Sequence, residues 1–193
     1  AHHLEICDLP VHAESKNRKI LLVTNDLGPH TGGIESFILG LLSQLNGQEI
    51  VIYTSKEDGD SEFDAALGKK YGVEIIRDRA RTLIPTPRIN RSVARVMREY
   101  GSQYIWFGAA APLGFMAGHL RRKGATRIVA LTHGHEVWWA KVPPFNLLMR
   151  IIGNSVDHLT YLGEYTKREI SRGVSKRAQS AMIQIAPGID TEK

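Results

Sequence analysis

The sequence predicts an α/β fold in which an open, mostly parallel sheet carries helices on both faces, the arrangement of Rossmann-like domains. Short apolar or β-branched runs alternate with longer stretches that place apolar residues at helical spacing, and this alternation is typical of βαβ units. The chain has 193 residues, of which 42% are hydrophobic, enough for one sizeable core but short for two α/β domains. We therefore expect one domain, over residues 19–186.

Seven strands and six helices are predicted from these runs. The strands are Lys19–Thr24, Glu49–Thr54, Val73–Arg77, Tyr104–Phe107, Arg127–Leu131, His158–Tyr161 and Met182–Ile185. The helices are Ile34–Leu45, Ser61–Tyr71, Ile89–Tyr100, Pro112–Lys123, Pro144–Asn154 and Glu164–Arg172. Residues 1–18 show neither the two-residue period of a strand nor the 3.6-residue period of a helix, and they are expected to form an irregular extension. Because crossovers bring the carboxyl ends of parallel strands to one edge, functional residues are expected directly after strands.

Composition narrows the classes of partner. The formal charge of +5 favours an anionic partner, which leaves nucleic acid, phosphate and anionic lipid open. Cys7 is the only cysteine, so an intrachain disulfide is impossible and a cysteine-built zinc site is disfavoured. No apolar run reaches the ~20 residues of a membrane-spanning helix, and the first residues lack a secretory pattern, so an intracellular location is expected.

Two glycines, Gly32 and Gly33, lie between the first predicted strand and the helix that begins at Ile34. Such a turn lets the backbone approach a ligand closely, and the first N–H groups of the helix favour negative charge. The spacing matches neither the dinucleotide fingerprint nor the P-loop, and no lysine follows the glycines. From the residues alone, phosphate binding and a tight turn that serves only the fold both remain open.

A polar cluster, His133, His135 and Glu136, follows the fifth predicted strand. At this edge a histidine can donate a hydrogen bond to a sugar hydroxyl or to a phosphate. These side chains also have the chemistry of metal ligands, but a mononuclear site needs a further well-placed ligand and the other histidines are scattered, so no metal is expected. Local satisfaction of backbone groups is the remaining alternative.

Arginine is concentrated in one segment: seven arginines lie between Arg77 and Arg98, opposed within that segment only by Asp78. Four of them fall within an arc of about 80° on the helix after Pro87, and these are Arg88, Arg91, Arg95 and Arg98. An ordinary solvated helix face and a contact with an acceptor or an anionic membrane both explain the pattern. Nucleic acid is disfavoured, because a binder would interleave aromatic residues with the basic ones.

Three segments, in this order, resemble those of the retaining GT-B glycosyltransferases, a group that includes glycosyltransferase family 4. The segments are Thr24-Asn25-Asp26 with Gly32-Gly33-Ile34-Glu35-Ser36, Trp106-Phe107-Gly108-Ala109-Ala110-Ala111-Pro112-Leu113, and Thr132-His133-Gly134-His135-Glu136-Val137. They are similar to the phosphatidylinositol monomannoside mannosyltransferases of mycolic-acid bacteria. The resemblance implies that residues 19–186 form the acceptor-side half of a GT-B fold. Residues 187–193 would begin the hinge into a C-terminal donor domain that the chain lacks.

The resemblance also implies substrates and roles. The donor would be GDP-mannose, the acceptor an anionic glycolipid, and no cofactor would be needed. The implied site residues are Gly32, Gly33 and Gly188 for the donor, His133 and Asp26 for catalysis, and His135 and Glu136 as secondary candidates. The sugar would be transferred with retention, without an established enzymatic nucleophile, by a cytoplasmic protein peripheral to the inner face of the cell membrane. A non-catalytic nucleotide- or phosphate-binding α/β module is the alternative.

Overall fold

A computed structural model describes residues 17–30, 32–134 and 136–185, and a seven-stranded sheet lies at its centre. The strands are β1 (Ile20–Thr24), β2 (Ile50–Thr54), β3 (Glu74–Arg77), β4 (Tyr104–Phe107), β5 (Arg127–Ala130), β6 (His158–Tyr161) and β7 (Ile183–Gln184). Their order is β3-β2-β1-β4-β5-β6-β7, and every pairing is parallel. The succession reverses direction between β1 and β4, which leaves a crevice at their carboxyl ends.

The described residues form eight α-helices around this sheet. They are α1 (Gly33–Leu42), α2 (Asp60–Tyr71), α3 (Pro87–Glu99), α4 (Ala117–Arg122), α5 (Glu136–Lys141), α6 (Phe145–Ser155), α7 (Glu164–Ser171) and α8 (Lys176–Ser180). Within the described parts of the chain, none of these helices combines the length and the apolar content that crossing a bilayer requires.

The core consists of two layers of buried side chains, one on each face of the sheet. Alternate residues of β1 point to opposite faces, so Leu22 packs with α1 and α2 while Leu21 packs with α3 and the later helices. Burial on both faces explains why β1 and β2 read as continuous apolar runs. The predicted α/β class, with a parallel sheet and helices on both faces, is confirmed.

Three element predictions needed correction. The predicted helix Pro112–Lys123 is a 3-10 turn at Leu113–Met116 followed by the six-residue α4. The short helices α5 and α8 were not predicted, since five or six residues span too few turns to show a helical period. The last predicted strand, Met182–Ile185, shortens to the two residues of β7.

Arg18, the last residue of the predicted extension, is anchored to the domain. Its Nη1 donates to the backbone carbonyls of Gly47, Ile50 and Gly72 at 2.9, 3.0 and 2.9 Å. Its own carbonyl accepts from the Ser102 hydroxyl at 2.6 Å. Arg18 therefore joins the amino ends of the strands opposite the functional edge. Residues 1–16, which include Cys7, lie outside the described residues.

Candidate functional site

The predicted motifs meet at the carboxyl edge of the sheet, where the turns after β1, β4 and β5 lie side by side. Thr24 ends β1, Gly108 follows β4, and His133 comes three residues after β5. Because β1 and β4 are neighbours on either side of the reversal in strand order, the turns that follow them flank the crevice where ligands of such sheets bind.

The glycine turn after β1 is open. Gly32 is the N-cap of α1 with an extended φ of −151°, and Gly33 is the first residue of the helix. A Cβ placed on either glycine would meet no atom of the described residues within 4 Å. Both glycines are exposed, and neither has a positive φ. The fold therefore does not need glycine at these two positions, which favours the ligand interpretation over a turn that serves only the fold.

The described residues provide a hydrogen-bond acceptor for only part of the N-terminus of α1. The buried Glu35 carboxylate accepts the Gly32 N–H at 3.1 Å, so that donor is taken. The next N–H groups, of Gly33 and Ile34, belong to the first turn of a helix and have no intrahelical acceptor. An anionic group at this turn would therefore be bound by the N–H groups after Gly32, with the helix dipole in its favour.

His133 is held in place by three different elements. Its ring Nε2 lies 2.6 Å from the carbonyl oxygen of Gly108, and its backbone N–H donates to the Glu136 carboxylate at 2.9 Å. The ring of Phe37, on α1, meets the imidazole edge to face at 5.3 Å and 80°. The histidine turn and the helix of the glycine turn are thus in direct contact, as a common site requires.

Asp26 and its neighbours shape the turn after β1. The Asp26 N–H donates to the buried Thr24 hydroxyl at 3.0 Å, and the Asp26 side chain is half-buried. The Asn25 side chain holds the loop before α3 through the backbone of Leu83. Its Oδ1 accepts from the Leu83 N–H at 2.6 Å, and its Nδ2 donates to the Leu83 carbonyl oxygen at 3.2 Å. Asn25 is therefore structural, and Asp26 is a half-buried carboxylate two residues after the end of β1.

The remaining candidates of the two turns divide between described and undescribed parts of the chain. Glu136 is fully buried at the start of α5, where it fixes the His133 backbone. His135 and the hinge residue Gly188 lie outside the described residues. Within the described residues, no three His, Cys, Asp or Glu side chains come together in a way that would hold a metal ion.

The arginines of α3 fall into two groups. Arg88 makes a bidentate ion pair with Asp78, with N–O distances of 2.8 and 3.0 Å, and Tyr53 donates to the same carboxylate. Burial alone would raise the pKa of Asp78, but hydrogen bonds from Arg88, Tyr53 and the Ala80 N–H lower it to about 2. Arg88 therefore ties α3 to the sheet.

The other three α3 arginines are exposed, and among the described residues none of them has a carboxylate within salt-bridge distance. They border a groove of about 510 Å³ between α3 and α4. Its lining is Arg88, Arg91, Ser92, Ala94, Arg95, Arg98, His119 and Lys123. Burial and the positive charges of Lys123 and Arg122 lower the pKa of His119. The groove can therefore receive anionic groups, with the exposed arginines as the main donors.

Two further arginines of the basic segment are neutralised by α2 and the loop before it. Arg77 donates to Asp64 at 2.7 Å and to the Gly28 carbonyl at 2.8 Å, so it braces the turn after β1. Arg81 pairs with Asp58 at 3.1 Å on the surface. The predicted patch of seven arginines is therefore smaller in the folded chain than in the sequence.

Several contributors to the site were not predicted. Gly108 and Phe37 orient His133, and His119 and Lys123 complete the basic groove. Gly108 had one usable signal, its position directly after a strand, whereas the other three stand on helices or at a helix end with nothing to distinguish them from ordinary packing or surface residues.

Comparisons with known proteins agree with this architecture. Residues 31–193 match Glycosyltransferase Family 4. The chain is 39% identical over 179 residues to the GDP-mannose-dependent monoacylated alpha-(1-6)-phosphatidylinositol monomannoside mannosyltransferase of Corynebacterium glutamicum, covering 93% of this chain and 46% of that protein. It is 37% identical over 176 residues to the GDP-mannose-dependent alpha-(1-6)-phosphatidylinositol monomannoside mannosyltransferase of Mycolicibacterium smegmatis, covering 90% and 45%.

A solved structure shows the same fold. Anabaena Alr3699/HepE in complex with UDP and glucose superposes with a TM-score of 0.64 at 11% identity, over 90% of this chain and 45% of that chain. The chain thus spans about half the length of the relatives it matches, and the prediction of one half of a GT-B fold is confirmed. With most of its residues matched by one family, the chain belongs to Glycosyltransferase Family 4.

Proposed function

We propose that the full-length protein transfers mannose from GDP-mannose to a phosphatidylinositol mannoside, and that this chain is its N-terminal half. The observation that carries the proposal is the contact of the anchored His133 with Phe37, which lies one turn along the helix that begins openly at Gly32 and Gly33. The two mannosyltransferase relatives depend on this donor and act on this class of acceptor, which supports the assignment.

The glycine turn and the turn that contains His133 bind different parts of the donor. The diphosphate lies against the N–H groups of Gly33 and Ile34, where the absence of side chains at the turn permits close approach. His133 contacts the transferring sugar, and Asp26 faces the acceptor. Gly188 contributes from the hinge, beyond the described residues.

The chemistry follows from positioning and not from a protein nucleophile. The sugar is transferred with retention, and the leaving phosphate takes the proton of the acceptor hydroxyl. The protein holds the donor carbon in line with the acceptor and stabilises the charge that develops on the phosphate. No metal or other cofactor takes part in this scheme.

The exposed α3 arginines bind the acceptor lipid or the membrane that contains it. Arg91, Arg95 and Arg98 lie on one side of a basic groove, and Lys123 lies on the other. Each cation near an anionic surface contributes on the order of 1 kcal/mol at low salt. The protein therefore works as a cytoplasmic, peripheral protein at the inner face of the cell membrane, without a nucleic-acid partner.

The test of the function is a transfer assay with the full-length protein. Radiolabelled GDP-mannose and vesicles that contain phosphatidylinositol monomannoside should give a labelled dimannoside, while UDP-glucose should give no product. The 193-residue chain alone should give none, because it spans about half of its relatives. Transfer from UDP-glucose instead would overturn the donor assignment. Nucleotide binding without any transfer would favour the non-catalytic module.

The membrane contact is tested by replacing Arg91, Arg95 and Arg98 together with Ser in the 193-residue chain. The partition coefficient onto phosphatidylinositol vesicles, measured by sedimentation at low salt, should fall at least tenfold because three cations are removed. The matched control replaces the exposed Lys56, Lys69 and Lys70 with Ser, which removes the same charge elsewhere. Equal losses in both triple variants, or undiminished binding of the arginine variant, would contradict a specific α3 contact.

A further inference from the structure

Within the described parts of the chain, one nitrogen of the His133 imidazole has a hydrogen-bond partner and the other has none. Nε2 lies 2.6 Å from the Gly108 carbonyl oxygen. No residue that the structure describes makes a hydrogen bond to Nδ1. The ring is also fixed in orientation, because Phe37 packs on it edge to face and Glu136 holds the backbone N–H.

The Gly108 contact decides which nitrogen carries the proton. A carbonyl oxygen only accepts hydrogen bonds, so the ring atom at 2.6 Å must donate. A ring carbon cannot take that place, since C–H···O contacts need about 3.3 Å or more. The proton of the neutral ring is therefore on Nε2, and Nδ1 has a lone pair that accepts.

The carbonyl can reach His133 because position 108 has no side chain. A Cβ at Gly108 would lie 2.6 Å from Cβ of Thr24 and closer still to its hydroxyl. The Gly108 N–H is itself bonded to the Val23 carbonyl at 2.8 Å. The backbone just after β4 therefore lies close to the end of β1, and the carbonyl of Gly108 points towards the His133 imidazole.

We infer that Gly108 is a positioning residue that fixes His133 as the Nε2–H tautomer, so that neutral His133 recognises a hydroxyl of the donor sugar as an acceptor through Nδ1. The inference rests on the proposed function for the identity of the ligand. An ionised diphosphate offers only acceptor oxygens and gives the Nδ1 lone pair nothing to bind. A sugar hydroxyl offers a proton. Of the two partners that the sequence left open, the hydroxyl fits and the phosphate does not, and His133 accepts where the sequence suggested donation.

The tautomer is tested directly on the 193-residue chain by long-range proton–nitrogen correlation NMR of its neutral histidine rings. His133, assigned by loss of its signals in His133→Gln, should show a protonated Nε2 and an unprotonated Nδ1. His158 is the internal control, because its Nδ1 lies 2.9 Å from the Ala181 carbonyl and it should show the opposite tautomer. A protonated Nδ1 at His133, or an even mixture, would overturn the inference whatever His158 shows.

The ligand is tested in the full-length protein with GDP-mannose analogues that each lack one sugar hydroxyl. With the wild-type protein, one analogue should show the same loss of kcat/KM, relative to GDP-mannose, that His133→Ala causes with GDP-mannose. With His133→Ala, the same analogue and GDP-mannose should give equal kcat/KM. His133→Asn, which places an amide oxygen near the position of Nδ1, should retain more transfer than His133→Gln. An equal His133→Ala loss for every analogue would overturn the hydroxyl contact. Absence of any transfer by wild type would instead refute the proposed function and leave the tautomer result standing.

Discussion

The turn after β1 and the turn after β5 meet at the same sheet edge but are built in opposite ways. At Gly32 and Gly33 the backbone is exposed, and no atom of the described residues lies within 4 Å of where a side chain would begin. At His133 it fixes one side chain through Gly108, Phe37 and its own backbone. The first turn therefore offers backbone N–H groups to a ligand, and the second offers one side chain in a fixed orientation.

Helix α3 repeats this contrast within a single element. Arg88 is bonded to the buried Asp78, whose side chain is 4% exposed, and so belongs to the fold. Arg91 and Arg95 lie one and two turns further along and extend into the groove. The same residue type therefore has different roles at successive turns, and substitutions should separate them.

The largest effect on folding is expected for Gly108→Ala. The added methyl group would overlap Thr24 and should lower the free energy of unfolding by roughly 1–3 kcal/mol, the usual cost of overpacking. Gly40→Ala is the matched control, because Gly40 is a helical glycine with open space at Cβ and should gain up to about 1 kcal/mol. Urea unfolding of both variants measures the difference. Equal stabilities would show that Gly108 is not constrained by packing.

A somewhat smaller loss is expected for Arg88→Ala, roughly 1–2 kcal/mol near neutral pH, because Asp78 keeps Tyr53 and the Ala80 N–H but loses its cation. The folded-state pKa of Asp78, about 2, lies below its ordinary value, so the stabilisation is present above pH 3.8 and is lost as the pH falls through 2. The gap between wild type and variant should close over that range. Arg95→Ala should stay within about 0.5 kcal/mol at every pH. A pH-independent gap for Arg88→Ala would contradict the ion pair.

The smallest effect on folding is expected for Gly33→Ala, within about 0.5 kcal/mol, because the new methyl group would meet no atom of the part of the chain that the structure describes. In the full-length protein the same methyl group should raise KM for GDP-mannose by roughly tenfold, the scale of one lost contact of 1.4 kcal/mol. Gly40→Ala, on the same helix, should leave KM unchanged. Steady-state kinetics that show no difference between these two variants would remove the glycine turn from the donor site.

The fold could be predicted from the sequence because its signals are local. Residues 21–23 of β1 and 50–53 of β2 are buried on both faces of the sheet, so each run is continuously hydrophobic. Glycine and polar residues directly after strands also indicated the functional edge. The six residues of α5 escaped prediction because a helix of that length has too few turns to display a period.

The contacts within the site depend on residues far apart in the chain. Gly108 lies 25 residues before His133, and nothing in either segment indicates which ring nitrogen is used. Arg77 meets Asp64 from 13 residues away, so an arginine that looks available in the sequence is neutralised in the fold. Such pairings follow from strand order and from the packing of helices, which the local pattern does not determine.

In the proposed function, His133 contacts the transferring sugar at the point where the two turns meet. This contact can be tested by steady-state kinetics of the full-length protein with GDP-mannose. His133→Ala should lower turnover by roughly 10²-fold or more, the scale of losing one well-placed polar group at the reacting centre, while the variant stays folded. His135→Ala should cost less. If His133→Ala turned over near the wild-type rate and His135→Ala were inactive, the role would belong to His135. Full activity of both variants would show that the site is not at this turn.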